Sequence, residues 1–232
     1  MLLLQAQMAQ AVTEMAENPV LTGVAEVATN EMNLWDMASK GGWIMIVLAL
    51  LSVICVYIFV ERLMAIRKAS KVDPLFMDRV HDYVKTGELK SAVNYCRVTN
   101  TPVANMIEKG LERIERPATE VQAALENAGN LEVAKLEKGL SVMATISSGA
   151  PMIGFLGTVL GMVRAFWEMA NAGNNIDITL LSSGIYEAMI TTVGGLVVGI
   201  IAMFAYNYLV SRVNDVANVL EAQTLSFMDL KN

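Results

Sequence analysis

The stretch Gly139–Val163, GLSVMATISSGAPMIGFLGTVLGMV, runs for 25 residues without a charge. As a helix it would reach about 37 Å, more than the roughly 30 Å hydrocarbon core of a bilayer. It is a poor match for a plain lipid anchor, because Thr145, Ser147, Ser148, Gly149, Pro151, Gly154, Gly157, Thr158 and Gly161 interrupt it. At about 100° per residue, Ser147, Pro151, Gly154, Thr158 and Gly161 fall within one narrow arc. A stripe of small residues lets helices approach closely, and a membrane hydroxyl seeks a partner across the interface. Arg164 and Glu168 close the run.

Working outward, a second run of the same kind spans Ser182–Val210. Thr192, Gly195, Gly199, Ala202 and Tyr206 recur there at steps of three and four, again one helical face. Glu187 is its one charged side chain. A carboxylate at membrane depth is costly unless it meets water, a partner or a proton, so it is a candidate functional group. The bland alternative is a solvated residue at the helix end. A third run, Gly42–Val60 (GWIMIVLALLSVICVYIFV), has no charge over 19 residues. Trp35 and Trp43 flank its start, where amphipathic rings favour the bilayer interface. Arg62, Arg67, Lys68 and Lys71 follow it, whereas Met1–Lys40 carries Glu14, Glu17, Glu26, Glu31 and Asp36 against one lysine. The bias of basic residues toward the cytoplasm then places the N-terminus outside and the C-terminus inside.

These runs predict an all-α integral membrane protein with three spans, at 42–60, 139–163 and 182–210. An amphipathic N-terminal segment, 1–41, precedes them; its opening residues lack the basic start of a signal peptide. Between the first two spans, 61–138 reads as a cytoplasmic helical domain, with a long helix from Ala118 running into the membrane. Residues 164–181 read as an extracytoplasmic loop and 211–232 as a short polar cytoplasmic tail. The composition agrees: 54% of the chain is hydrophobic and 17% charged, with mean hydropathy +0.45. A net charge of −6 argues against a nucleic-acid partner. Cys55, Cys96 and the single His81 make no metal spacing, and neither a phosphate loop nor a catalytic triad is visible. The expectation is a non-enzyme without cofactors, powered by an ion gradient or a partner.

For the glycines, close helix packing is the first reading. Thr158 and Thr192 can each bond back to their own helix, or line a shared cavity. Three helices cannot enclose a wide lumen, so a lumen implies an oligomer or a partner helix. On helical arithmetic Thr191 lies nearer the face of Glu187 than Thr192 does.

Ala150-Pro-Met-Ile-Gly-Phe-Leu-Gly-Thr-Val-Leu-Gly-Met162 resembles the second-helix motif of the ExbB/TolQ/MotA proton-channel family. Ile185-Tyr-Glu-Ala-Met-Ile-Thr-Thr-Val-Gly-Gly-Leu196, continuing to Ala205-Tyr-Asn207, resembles its third-helix motif, and Glu61-Arg-Leu63 its exit from the first helix. The layout is similar to the three-span ExbB and TolQ members. The resemblance implies an inner-membrane homopentamer around two helices of an ExbD-, TolR- or MotB-like single-span protein that carries a protonatable aspartate. Protons, the transported ion, would drive rotation and so energise a TonB-like protein for outer-membrane uptake. Within the family, a TolQ-like role in envelope constriction or a MotA-like motility stator is the alternative; a non-conducting membrane scaffold is the alternative outside it. Thr158, Thr192 and Glu187 match the family's proton pathway. Ser147, Pro151, Gly154, Gly161, Gly195, Gly199 and Tyr206 would then form the pore-facing stripe. The sequence departs from the family at Ile201, where a proline is common, and in its longer N-terminal segment.

Overall fold

The computed structural model describes residues 41–71, 73–171 and 178–231, with the side chains of 178–181 and 231 excepted. The N-terminal segment with Trp35, and the Asn/Gly-rich stretch 172–177, lie outside the described residues. The described chain is all helix and turn: α1 (Gly42–Ala69), α2 (Phe76–Lys85), α3 (Leu89–Thr99), α4 (Pro102–Leu111), α5 (Ala118–Glu137), α6 (Leu140–Asn171) and α7 (Ile178–Lys231).

Helices α1, α6 and α7 contain the three apolar runs, and each is long and apolar enough to cross a membrane. Their outward faces are hydrophobic. Ile46, Val53 and Tyr57 on α1, Met152 and Phe155 on α6, and Val197 and Phe204 on α7 are all exposed in the single chain. Apolar surface on this scale suits lipid or a further protein chain, not water.

The helices depart from the expected bounds in three places. The stretch 164–171, expected as loop, continues α6, since Arg164, Ala165, Phe166, Trp167, Glu168 and Met169 contain no breaker. The expected tail continues α7 to Lys231. Its Val213, Val216, Leu220 and Phe227 are buried at helical spacing, and that burial keeps the helix going. The long helix from Ala118 stops before the membrane. Gly139 takes φ +88°, a left-handed conformation that ends α5 and starts α6.

Helices α2 to α5 pack against the far part of α7 as one small domain. Thr101 caps α4 by accepting from the Ala104 amide at 3.3 Å, with Pro102 in the first turn. Asn100 ends α3 in the left-handed region. Gly110 brings three elements together: a Cβ there would come within 2.6 Å of Leu125 on α5 and 3.1 Å of Phe227 on α7. Arg62, just past the apolar run of α1, pairs with Glu61 and donates to the Lys135 carbonyl at 3.2 Å. A cation there also meets the negative end of the α5 dipole. Domain and membrane bundle are thus joined through α7 and through this arginine.

Candidate functional site

Helices α6 and α7 run antiparallel, and their two small-residue stripes face each other. A Cβ on Gly195 would lie 2.6 Å from the Ala150 carbonyl and 2.8 Å from the Cα of Gly154. A Cβ on Gly154 would lie 2.7 Å from the Thr191 carbonyl. One step along, Gly199 meets the Pro151 ring and the Ser147 carbonyl. That carbonyl has no helical donor, because Pro151 lacks an N–H. Toward the other end, a Cβ on Gly161 would lie 2.8 Å from that of Ala188. Of the stripe residues, Ser147, Pro151, Gly154, Gly161, Gly195 and Gly199 therefore form the α6/α7 seam. Tyr206 is half-buried beyond it, against the apolar core.

The seam carries Thr158 and Thr192 with it. Thr158 Oγ1 donates to the Phe155 carbonyl at 2.6 Å. Thr192 Oγ1 donates to the Gly154 carbonyl at 3.1 Å and stands 3.5 Å from Thr158 Oγ1. The back-bonding read from sequence is present for Thr158 alone; Thr192 bonds across to α6, and the two hydroxyls share a face. Each hydroxyl has one proton, and each has a backbone acceptor for it. Their lone pairs stay available at the edge of the seam.

Glu187 is placed on the other side of α7. It lines a cavity with Thr191, the residue one turn along, and does not touch the threonine pair. Thr191 is 2% exposed. Its hydroxyl donates to the Ala188 carbonyl at 2.7 Å and reaches the Gly154 carbonyl at 3.3 Å. It fits only because Gly157 faces it: a Cβ on Gly157 would lie 2.7 Å from that of Thr191. The Gly154 carbonyl thus faces two hydroxyl groups, one on each side of α7. Sequence reasoning placed Thr191 near the face of Glu187 but chose Thr192 for the pathway, and took Arg164 and Glu168 only as the end of a run. The signal for Thr191 was its four-residue step from Glu187, and for the other pair their own four-residue step.

Residues 98–222 match the MotA/TolQ/ExbB proton channel family. An ExbB homolog of Methanothermobacter thermautotrophicus is 31% identical over 187 residues, which is 80% of this chain and 66% of that one. An ExbB-like protein of Synechocystis is 30% identical over 79% of this chain and 73% of its own. The Tol-Pal system protein TolQ of Haemophilus influenzae is 28% identical over 80% of this chain and 88% of its own. This chain spans just under two thirds of the first of these relatives, and more of the other two.

Proposed function

The chain belongs to the MotA/TolQ/ExbB proton channel family, and on that premise we propose that it is the channel subunit of an ExbB-type proton-driven motor. It works with a single-span ExbD-, TolR- or MotB-like partner that carries a membrane aspartate. The observation that carries this reading is the hydroxyl pair, Thr158 and Thr192, 3.5 Å apart where the charge-free small-residue stripes of α6 and α7 meet. In this reading five copies surround the partner helices in the inner membrane. The N-terminus is outside and the α2–α5 domain is cytoplasmic. Proton flow past the partner's aspartate turns one subunit type against the other, and the work is passed to a TonB-like protein for outer-membrane uptake.

The seam suits that task because it offers hydrogen bonds without charge. A fixed cation about 4 Å from a carboxylate would hold it with roughly 4 kcal/mol at an effective dielectric of 20, enough to trap the ion pair. A hydroxyl accepts from a carboxylic acid and donates to a carboxylate, so it serves both halves of a protonation cycle. Thr192 can turn its proton to the aspartate at low cost, because the Gly154 carbonyl keeps Thr191 within reach. The aspartate then loads and unloads as its setting alternates between wet and dry, which moves its pKa.

The test is the double substitution Thr158→Val with Thr192→Val. A hydroxyl bond in a membrane bundle is worth only about 0.6 kcal/mol on average, so the complex assembles. Energised function is lost. Normal function in an assembled double variant removes the threonine pathway. A non-conducting scaffold would be indifferent both to these threonines and to uncouplers. A second reading, a TolQ-like role in envelope constriction, draws support from the 88% of the Haemophilus TolQ chain that is covered. The partner that co-purifies separates the two.

A further inference from the structure

Behind the threonine pair, at the end remote from the helical domain, α1, α6 and α7 line a cavity of about 300 Å³. Five polar side chains converge on it: Arg164 and Glu168 from α6, and Ser183, Glu187 and Thr191 from α7. Gly41, Gly42, Trp43 and Ile44 supply the wall from α1, with no titratable group. A cavity with polar walls fills with water, whereas an apolar one stays dry. At about 30 Å³ per molecule there is room for roughly ten waters.

The charges are unevenly matched. Arg164 Nε donates to Glu168 at 3.1 Å, which balances that carboxylate. Among the described residues Glu187 has no cationic partner. Its carboxylate lies instead against the first turn of α1, so close that a Cβ on Gly42 would come within 2.5 Å of Oε1. Gly42 also has φ +63°, and a side chain is excluded there twice over. A helix start favours a negative charge, and a carboxylate at this depth persists where water reaches it.

Thr191 forms the floor. Its hydroxyl proton is engaged by the Ala188 and Gly154 carbonyls, and the Gly154 carbonyl accepts from Thr192 on the opposite side. A carbonyl accepts protons in hydrogen bonds but has none to pass on. No chain of hydroxyl donors therefore leads through the floor to the threonine pair.

We propose that this cavity is an aqueous vestibule inside each protomer, open to the outer compartment, that gives Glu187 direct exchange with outer water and is sealed at its floor by Thr191. The proposal rests on the orientation proposed above, and it makes Thr191 a positioning residue rather than a relay. It concerns water access and not proton coupling, so it can fail while the threonine pathway stands, and the reverse.

The experiment is thiol accessibility in the full-length protein in its own membrane, using Ser183→Cys and the near-isosteric Thr191→Cys. The two native thiols, Cys55 and Cys96, are buried and give the background from the unsubstituted protein. Membrane-impermeant methanethiosulfonates, one cationic and one anionic, are added to the outer face. Ser183→Cys is expected to react from that face, and Thr191→Cys, as buried as the native thiols, to stay at background. The cationic reagent should lead by about tenfold, because the unmatched Glu187 attracts it. Adding Glu187→Gln should collapse that ratio. Absence of outer-face labelling at Ser183→Cys overturns the vestibule. Equal rates for the two reagents overturn the charge assignment, and labelling of Thr191→Cys from the cytoplasmic face overturns the seal.

Discussion

Gly154 and Gly195 face each other where α6 and α7 cross, and a methyl group added to Gly195 would lie 2.8 Å from the Cα of Gly154. The two helices touch backbone to backbone at that point. A small side chain on either partner has nowhere to go, because what it meets is main chain and cannot rotate away. This contact sets the spacing that brings Thr158 and Thr192 to 3.5 Å.

Gly195→Ala should therefore force the helices apart. Overpacking of a close contact costs about 1–3 kcal/mol, and the threonine hydroxyls would lose their shared geometry with it. Gly149→Ala is the control, since a Cβ there meets nothing within 4 Å. It should be neutral or slightly stabilising, given alanine's better helix propensity. Thermal unfolding of the two variants in detergent, read side by side, checks the contrast. Equal melting temperatures would refute the crossing contact.

Thr191 predicts a different pattern. Thr191→Val keeps the shape against Gly157 and loses only hydroxyl bonds, so its cost should stay below about 1 kcal/mol. Thr191→Leu adds volume against Gly157 and should cost more, about 1–3 kcal/mol. The ordering, valine mild and leucine severe, is read from melting temperatures. The reverse order would mean that the hydroxyl, not the fit, holds the residue.

Phe227 tests whether the last part of α7 is a tail or a structural strut. It is fully buried and lies beside Gly110. Phe227→Ala should cost about 3–5 kcal/mol. The loss should fall on the α2–α5 domain, exposing it to protease while the membrane bundle stays intact. Uniform resistance to limited proteolysis would return 211–232 to the role of a loose tail.

Cys96 is buried on α3, and that burial, with Glu108 nearby, pushes its thiol up to about 12. At pH 8 its thiolate fraction is about one in ten thousand, so it should be inert to thiol reagents until the domain unfolds. The linked stability has a definite sign. An unfolded cysteine ionises near pH 8.5, while the folded one keeps its proton. Stability should fall as pH rises from about 8.5 toward 12, by up to about 1.4 kcal/mol per unit. Cys96→Ala should remove that slope. Denaturant titrations at pH 8 and pH 10 measure it, and an unchanged slope in the variant would place the titration elsewhere.

Taken alone, the sequence determined the membrane class and the three apolar helices. A nearly charge-free run of about twenty residues or more has few physical outcomes, and charged residues bound each run. It also named both small-residue stripes, because helical periodicity is a local property. Helix ends were less legible. The stretch 164–171 and the last part of α7 are interrupted by charged and polar residues, and what keeps them helical is continuity and the burial of residues such as Val213 and Phe227 against distant helices. Gly139 was read as a place in a run when it is a break, since φ +88° is set by how α5 must leave the bundle. Only the tertiary structure decided what the stripes face. Periodicity gives a direction around one helix axis and is silent on what lies opposite. Packing α6 against α7 turned the glycines into a seam, carried Thr158 and Thr192 to its edge, and left Glu187 with Thr191 in the cavity behind.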